Sequence, residues 1–188
     1  MKKIIGVDGR YALLKAREFC HPYFPYRPFR DFVAGDSDQV VEMFVTAHQP
    51  PALSDDPEEI ARLASTSQRL IHALQEQGCR VLPAPAKRTP HLTADGRPAL
   101  KSSDDQVLMI RLALTCMRLK PDFLVLVAAD GDFAPLVMGL REEGVRTEIV
   151  ADADALASDL RRVAFNWIDL RDLLHSQHFL PHRGHGAA

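Results

Sequence analysis

The chain is short of cysteine. Cys20, Cys79 and Cys116 are odd in number and widely spaced, with no C-x-x-C pair. That excludes a disulfide framework and a cysteine-based zinc centre, and predicts reduced, mostly buried thiols. No apolar run reaches the roughly 18 residues that a membrane span needs. Met1-Lys2-Lys3-Ile4 enters a strand-like run directly. With no signal peptide there, the expectation is a cytoplasmic protein that does not engage membranes. Neither charge is in excess: 23 basic against 25 acidic residues give a formal net charge of −2. This excludes the grossly basic composition of many nucleic-acid binders but leaves room for a local basic patch. Nor does G-x-G-x-x-G follow the first strand, where Gly9-Arg10-Tyr11-Ala12 stands, so a dinucleotide fold is disfavoured.

What the chain does have is apolar runs that stop abruptly at aspartates. Phe123 to Ala129 lacks polar alternation and ends in Asp130-Gly131-Asp132, the pattern of a central parallel strand covered on both faces. Lys3 to Val7 repeats it in shorter form, ending in Asp8-Gly9. A helix follows over Tyr11 to Phe19, and Val40 to Ala47 reads as a further core strand. Asp55 or Asp56 with Pro57-Glu58-Glu59 opens a helix that Gly78 closes. Cys79 to Pro83 is the next strand. Ser103-Asp104-Asp105-Gln106 has the S-x-x-Q form of a capping box, so a helix begins near Asp104, and Lys120-Pro121 stops it. Phe133 to Glu143 and Ala155 to Phe165 read as helices, Arg146 to Val150 and Trp167 to Leu170 as strands, and Arg171 to His175 as a terminal turn or helix. Strands alternating with helices predict an α/β fold, a three-layer α/β/α arrangement with a mainly parallel central sheet. One domain over residues 1–175 and a loose tail over 176–188 are expected.

Three segments resist that alternation. Residues 20–30 pack three prolines among Tyr23, Phe24, Tyr26 and Phe29, beside Arg27 and Arg30. They read as an extended loop whose rings either fold back onto the core or stack on unpaired bases. Residues 84–100 read as a long loop or irregular hairpin with Lys87, Arg88, His91 and Arg97, followed by Lys101. The tail holds His175, His178, His182 and His185 in a spacing that fits no structural zinc pattern.

Asp8, Asp104 with Asp105, and Asp130 with Asp132 would meet at the carboxyl ends of the strands, where α/β sheets bind ligands. Singly, each is commonly a cap or turn former. Together they repel unless a cation is present, and an all-oxygen site suits Mg²⁺ or Mn²⁺ bound with a phosphate oxygen, which points to metal-dependent phosphoryl chemistry. A haloacid-dehalogenase-like phosphatase needs a second Asp where Arg10 stands, and a Toprim domain expects Glu where Asp8 stands.

Asp130-Gly131-Asp132-Phe133-Ala134-Pro135-Leu136-Val137 with Leu140-Arg141-Glu142-Glu143-Gly144-Val145 resembles the signature of NYN domains, the LabA-like group of PIN-like nucleases. Val7-Asp8-Gly9 resembles the family's first-strand D-G, Lys101-Ser102-Ser103-Asp104 its K-G-x-D, and Ala157-Ser158-Asp159-Leu160 through Leu170 its ending. The resemblance implies a metal-dependent (endo)ribonuclease, with Asp8, Asp104, Asp130 and Asp132 as catalytic metal ligands for Mg²⁺ or Mn²⁺. RNA is the implied partner, its backbone held by Lys101, Lys87, Arg88, Arg97 and Arg10, and a homo-oligomer is left open. The chain departs from the family at Tyr11, where Asn is usual, at Ala129, where Ser or Thr is usual, and in a longer segment from His21 to Ser37. A second reading, an NYN-like module that binds RNA or protein with weakened catalysis, rests on Tyr11 and Ala129.

Overall fold

The computed structural model describes residues 1–36, 38–49, 56–92, 98–176 and 179, and the side chains of all of these except Arg88, Leu92 and Pro98. A six-stranded sheet runs through the middle in the order β3-β2-β1-β6-β7-β8. Its strands are β1 (Lys2–Val7), β2 (Gln39–Gln49), β3 (Arg80–Pro85), β6 (Phe123–Val127), β7 (Arg146–Ala151) and β8 (Asn166–Asp169). Every pairing between them is parallel. As its unbroken apolar run requires, β6 is buried along its whole length. β4 (Lys87–Leu92) and β5 (Pro98–Lys101) form a separate antiparallel pair.

Helices cover both faces, giving the expected three layers. On one face, α1 (Gly9–Glu18), α2 (Tyr26–Ala34), α3 (Pro57–Glu76) and α7 (Leu170–His175) seal a core containing Ile5, Phe24, Phe29, Met43 and Leu174. On the other, α4 (Asp104–Leu119), α5 (Ala134–Glu142) and α6 (Ser158–Val163) close over Ile4, Phe44, Leu112, Leu126 and Phe133. The winding of the sheet reverses about β1: β2 and β3 are added to one side of it, β6, β7 and β8 to the other. Among the described residues no helix is long and apolar enough to cross a membrane.

Two glycines let the layers close. A methyl group on Gly6 would stand 2.6 Å from Leu112 Cδ1, so α4 packs directly onto β1. One on Gly9 would meet the Thr46 carbonyl oxygen at 1.9 Å, so the start of α1 crosses β2 with no room for a side chain. The Gly9 amide also donates to Thr46 Oγ1 at 2.9 Å.

The structure corrects the sequence reading in three places. The segment read as an extended loop contains α2, with Pro25 just outside it and Pro28 in its first turn, where amides have no helical acceptor and proline costs nothing. Its rings fold inward: Phe24, Tyr26 and Phe29 are buried, while Arg27 and Arg30 donate to the carbonyls of Glu76 and Val40. The Ser103 capping box is absent; Ser103 lies at φ −115°, ψ 22° and makes no side-chain cap bond, since its backbone is outside the extended region that a capping side chain needs. The helix read over residues 155–165 is reduced to α6. Cys79 and Cys116 are buried, their thiols pushed up to about 12 by burial, but Cys20 is exposed. Residues 84–100 do contain the hairpin; Arg97 lies outside the described residues, as do His178, His182 and His185.

The clash at Gly9 predicts that Gly9→Ala destabilises the fold by about 3 kcal/mol, since neither backbone can yield cheaply. Gly139→Ala, at a mid-helix glycine with open space around it, should instead stabilise by about 0.5–1 kcal/mol. Urea unfolding midpoints of the two variants check both.

Candidate active site

Where the winding of the sheet reverses, between β1 and β6, a crevice opens at the carboxyl ends of the strands. Asp8 leaves β1 there, its amide donating to the Val127 carbonyl at 3.0 Å and so extending the pairing with β6. Its side chain caps α1, Oδ1 accepting from the Arg10 and Tyr11 amides at 3.0 Å each. Asp130 does the same after β6, Oδ1 accepting from the Asp132 amide at 2.9 Å across a one-turn 3-10 helix, Gly131–Phe133. The cap reading and the ligand reading are therefore both open to Asp8 and Asp130, because one oxygen takes the amides and a carboxylate has a second.

Asp104 and Asp105 arrive from the opposite helical layer at the first turn of α4. Asp104 is buried to 7% exposure and, without a capping role at Ser103, is set inward. Asp105 lies in the field of all the others. Its carboxyl is raised to about 6, first by burial and then by Asp8, Asp104, Asp130 and Asp132. Asp8 is raised by burial above all, with Asp104 adding to it. None of the five aspartates enters an ion pair among the described residues. Nor, among the described residues, do three acids, histidines or cysteines already close around a single point as a metal cage. The donor set is nonetheless all-oxygen and anionic, the chemistry that a hard divalent cation takes.

The predicted basic residues divide. Lys87 and Lys101 are exposed and sit directly opposite one another in the β4–β5 register, with no ion pair among the described residues. Like charges facing across a ladder repel, and β5 ends at Lys101 shortly before α4 begins at Asp104. Arg88 lies beside them on β4. Arg10 is exposed in the first turn of α1.

A second polar group lies on the β7 side and was not legible in the sequence. Tyr11 turns its hydroxyl away from the acids to accept from the Asp152 amide at 2.8 Å, across 141 residues. The Asp152 carboxylate, 2% exposed, is held by Lys15 Nζ at 2.7 Å and by Arg171 at 3.5 Å. These contacts lash α1 to the end of β7. No local motif signals them.

With this geometry in view, the comparisons with known proteins are consistent. The model of the NYN domain matches residues 5–171. The chain belongs to the NYN family, and through it to the PIN-like superfamily. A solved structure of a protein of unknown function from Vibrio parahaemolyticus is similar at 22% identity and a TM-score of 0.58, over 89% of this chain and 91% of that one. That likeness supports the fold alone. A pyrazinamidase/nicotinamidase from Streptococcus mutans aligns at 15% identity over 87% and 91% of the two chains, with a TM-score of 0.32. No curated protein matches the chain.

The Lys15–Asp152 pair and the Tyr11 hydroxyl make a testable pH window. Lys15 is raised from 10.5 to about 12, chiefly by its hydrogen bond to Asp152, and Tyr11 from 10.0 to about 12 by burial. Between pH 10 and 12 the native state retains protons that the unfolded chain has released, so stability present below pH 10 falls as pH rises through that window. Lys15→Met should cost about 3 kcal/mol at pH 7 by leaving Asp152 short of a partner. Tyr11→Phe should flatten the alkaline fall. Chemical denaturation at pH 8, 10 and 11 measures both.

Proposed function

We propose that this protein is a divalent-metal-dependent ribonuclease that cleaves phosphodiester bonds of RNA. The observation that carries the reading is the convergence of Asp8, Asp104, Asp105, Asp130 and Asp132, from two strand ends and one helix start, at the switch point of the sheet. Clustered acids in a partly desolvated crevice are costly to keep charged, and no basic side chain is ion-paired with any of them among the described residues. Membership of the NYN family, grouped with PIN-like nucleases, supports the same class.

In this reading Asp8, Asp104, Asp130 and Asp132 hold one or two Mg²⁺ or Mn²⁺ ions. Such an ion, when bound, supplies charge neutralisation at a phosphate and a water of lowered pKa. Asp8 and Asp130 are pre-oriented by the backbone amides that fix one oxygen of each. Asp104 is fixed by burial in the first turn of α4. Lys87, Lys101 and Arg10 line the approach, with Arg88 and Arg97 in the same basic segment, and would hold RNA phosphates by charge. RNA is the partner on this reading, and a cytoplasmic location fits it.

One observation favours a second reading, an RNA- or protein-binding module with weakened catalysis. The Tyr11 hydroxyl is committed to Asp152 and Ala129 carries no hydroxyl, so neither departure from the family pattern adds a polar group to the crevice.

Replacing Asp130 and Asp132 together with Asn should lower Mn²⁺-dependent cleavage of single-stranded RNA by at least about 100-fold, a loss on the scale of one or two electrostatic contacts. Cleavage surviving in preparations free of contaminating nuclease removes the site assignment. Independently of activity, Mn²⁺ in excess over its Kd should raise the melting temperature of the parent protein by mass action, and the double variant should lose that rise. Calorimetry separates the binding module, which would take up RNA equally with and without Mn²⁺ and turn none over.

A further inference from the structure

Next to the carboxylate crevice, above the end of β2, lies a cavity of about 540 Å³ that the reaction described above does not use. Its walls are the apolar faces of α1 and α3, with Leu13 and Leu14 on one side and Leu70 and Leu74 on the other. Tyr23 stands at its edge, 60% exposed, the one aromatic of its segment that did not fold into the core. The floor is formed by Thr46, Ala47 and His48, at the carboxyl end of β2.

The cavity adjoins the chain segment that carries Asp8. Gly9 and Arg10, the two residues after Asp8, are part of its lining. A polynucleotide whose phosphate lies at Asp8 therefore has the cavity within reach of an adjoining nucleotide, and Arg10 is placed between the two. The lining suits a flat, mainly apolar group: aliphatic walls and one exposed ring. Stacked bases in a duplex cannot present themselves this way, whereas bases of a single strand can.

We propose that this cavity receives one unstacked base of a single-stranded RNA whose backbone crosses the carboxylate crevice, with Tyr23 as its stacking surface. The inference rests on the nuclease reading for the position of the backbone, and extends it to the substrate: single strands are preferred over duplex because one base must leave its stack.

The test measures binding without turnover. Fluorescein-labelled decauridylate and decaadenylate, and a 10-base-pair RNA duplex, are titrated in EDTA and followed by anisotropy. Tyr23→Ala removes the stacking surface, and Ala73→Trp fills the cavity from the exposed side of α3. Each should weaken binding of at least one single strand about tenfold and leave duplex binding unchanged; Leu114→Ala, on the exposed face of α4, should alter neither. Melting curves establish that each variant is folded. Single-strand affinity unchanged in both folded variants overturns the proposal, including the case in which the cavity takes a protein segment. Free uridine or adenosine 5′-monophosphate competing as strongly as the matching decamer would make it a mononucleotide site and also overturn it. Cleavage by the parent protein in Mn²⁺ is recorded in parallel. Binding that does not depend on the pocket, with cleavage intact, rejects the cavity alone, and binding that depends on the pocket without any cleavage rejects the nuclease while keeping the base site.

Discussion

The edge of the sheet where the acids gather stands on one close approach, the passage of the first turn of α1 over the end of β2. Gly9 lies against the Thr46 carbonyl and donates to the Thr46 hydroxyl, while the preceding residue, Asp8, pairs its amide with β6. Two consecutive residues are thus fixed to strands on opposite sides of β1. That fixes where the Asp8 carboxylate emerges, the tilt of α1 and the near wall of the cavity. A side chain at position 9 would have to move one of three strands to fit.

Holding the acids together has an electrostatic cost, and the structure spreads it unevenly. Asp8 and Asp130 each give one oxygen to backbone amides, at the start of α1 and of the one-turn 3-10 helix. Asp104 and Asp105 make no such bonds among the described residues, and the cost surfaces in the raised carboxyl of Asp105. Removing the cap from Ser103 is part of the same arrangement. With Ser103 out of the extended region, the first turn of α4 is anchored by the burial of Asp104 instead. Local helix stability is given up at the place where a carboxylate is pressed inward.

How far the sequence could be read follows from the range of the forces involved. The parallel sheet and its layers were legible because β1 and β6 are apolar runs closed by Asp-Gly, and each signal lies within ten residues. The start of α3 at Asp56 and Pro57 and the end of α4 at Lys120 were legible for the same reason. α2 was hidden because Pro25 and Pro28 read as helix breakers, and only the position of both at its very start makes them harmless. The fate of Tyr23, Phe24, Tyr26 and Phe29 could not be read at all: three rings went inward and one stayed out, a choice set by α1 and α3 packing around them. Tyr11 was equally opaque, since its partner lies on β7.

Tyr11 also bears on why this chain departs from its family at that position. Placed in the first turn of α1, a residue that faced the crevice would add a polar group beside Asp8. Tyr11 instead reaches sideways to the Asp152 amide, beside the buried Asp152–Lys15 pair. The position has been moved from the crevice to the scaffold, tying α1 to β7 on the side away from β2. The Gly9 contact holds the same helix on the β2 side. α1 is therefore clamped at both flanks, so that Asp8 and the cavity wall at Leu13 and Leu14 form one rigid unit. Tyr11 meets the acids only through its amide, which donates to Asp8 Oδ1, so its effect on any chemistry there is one of positioning.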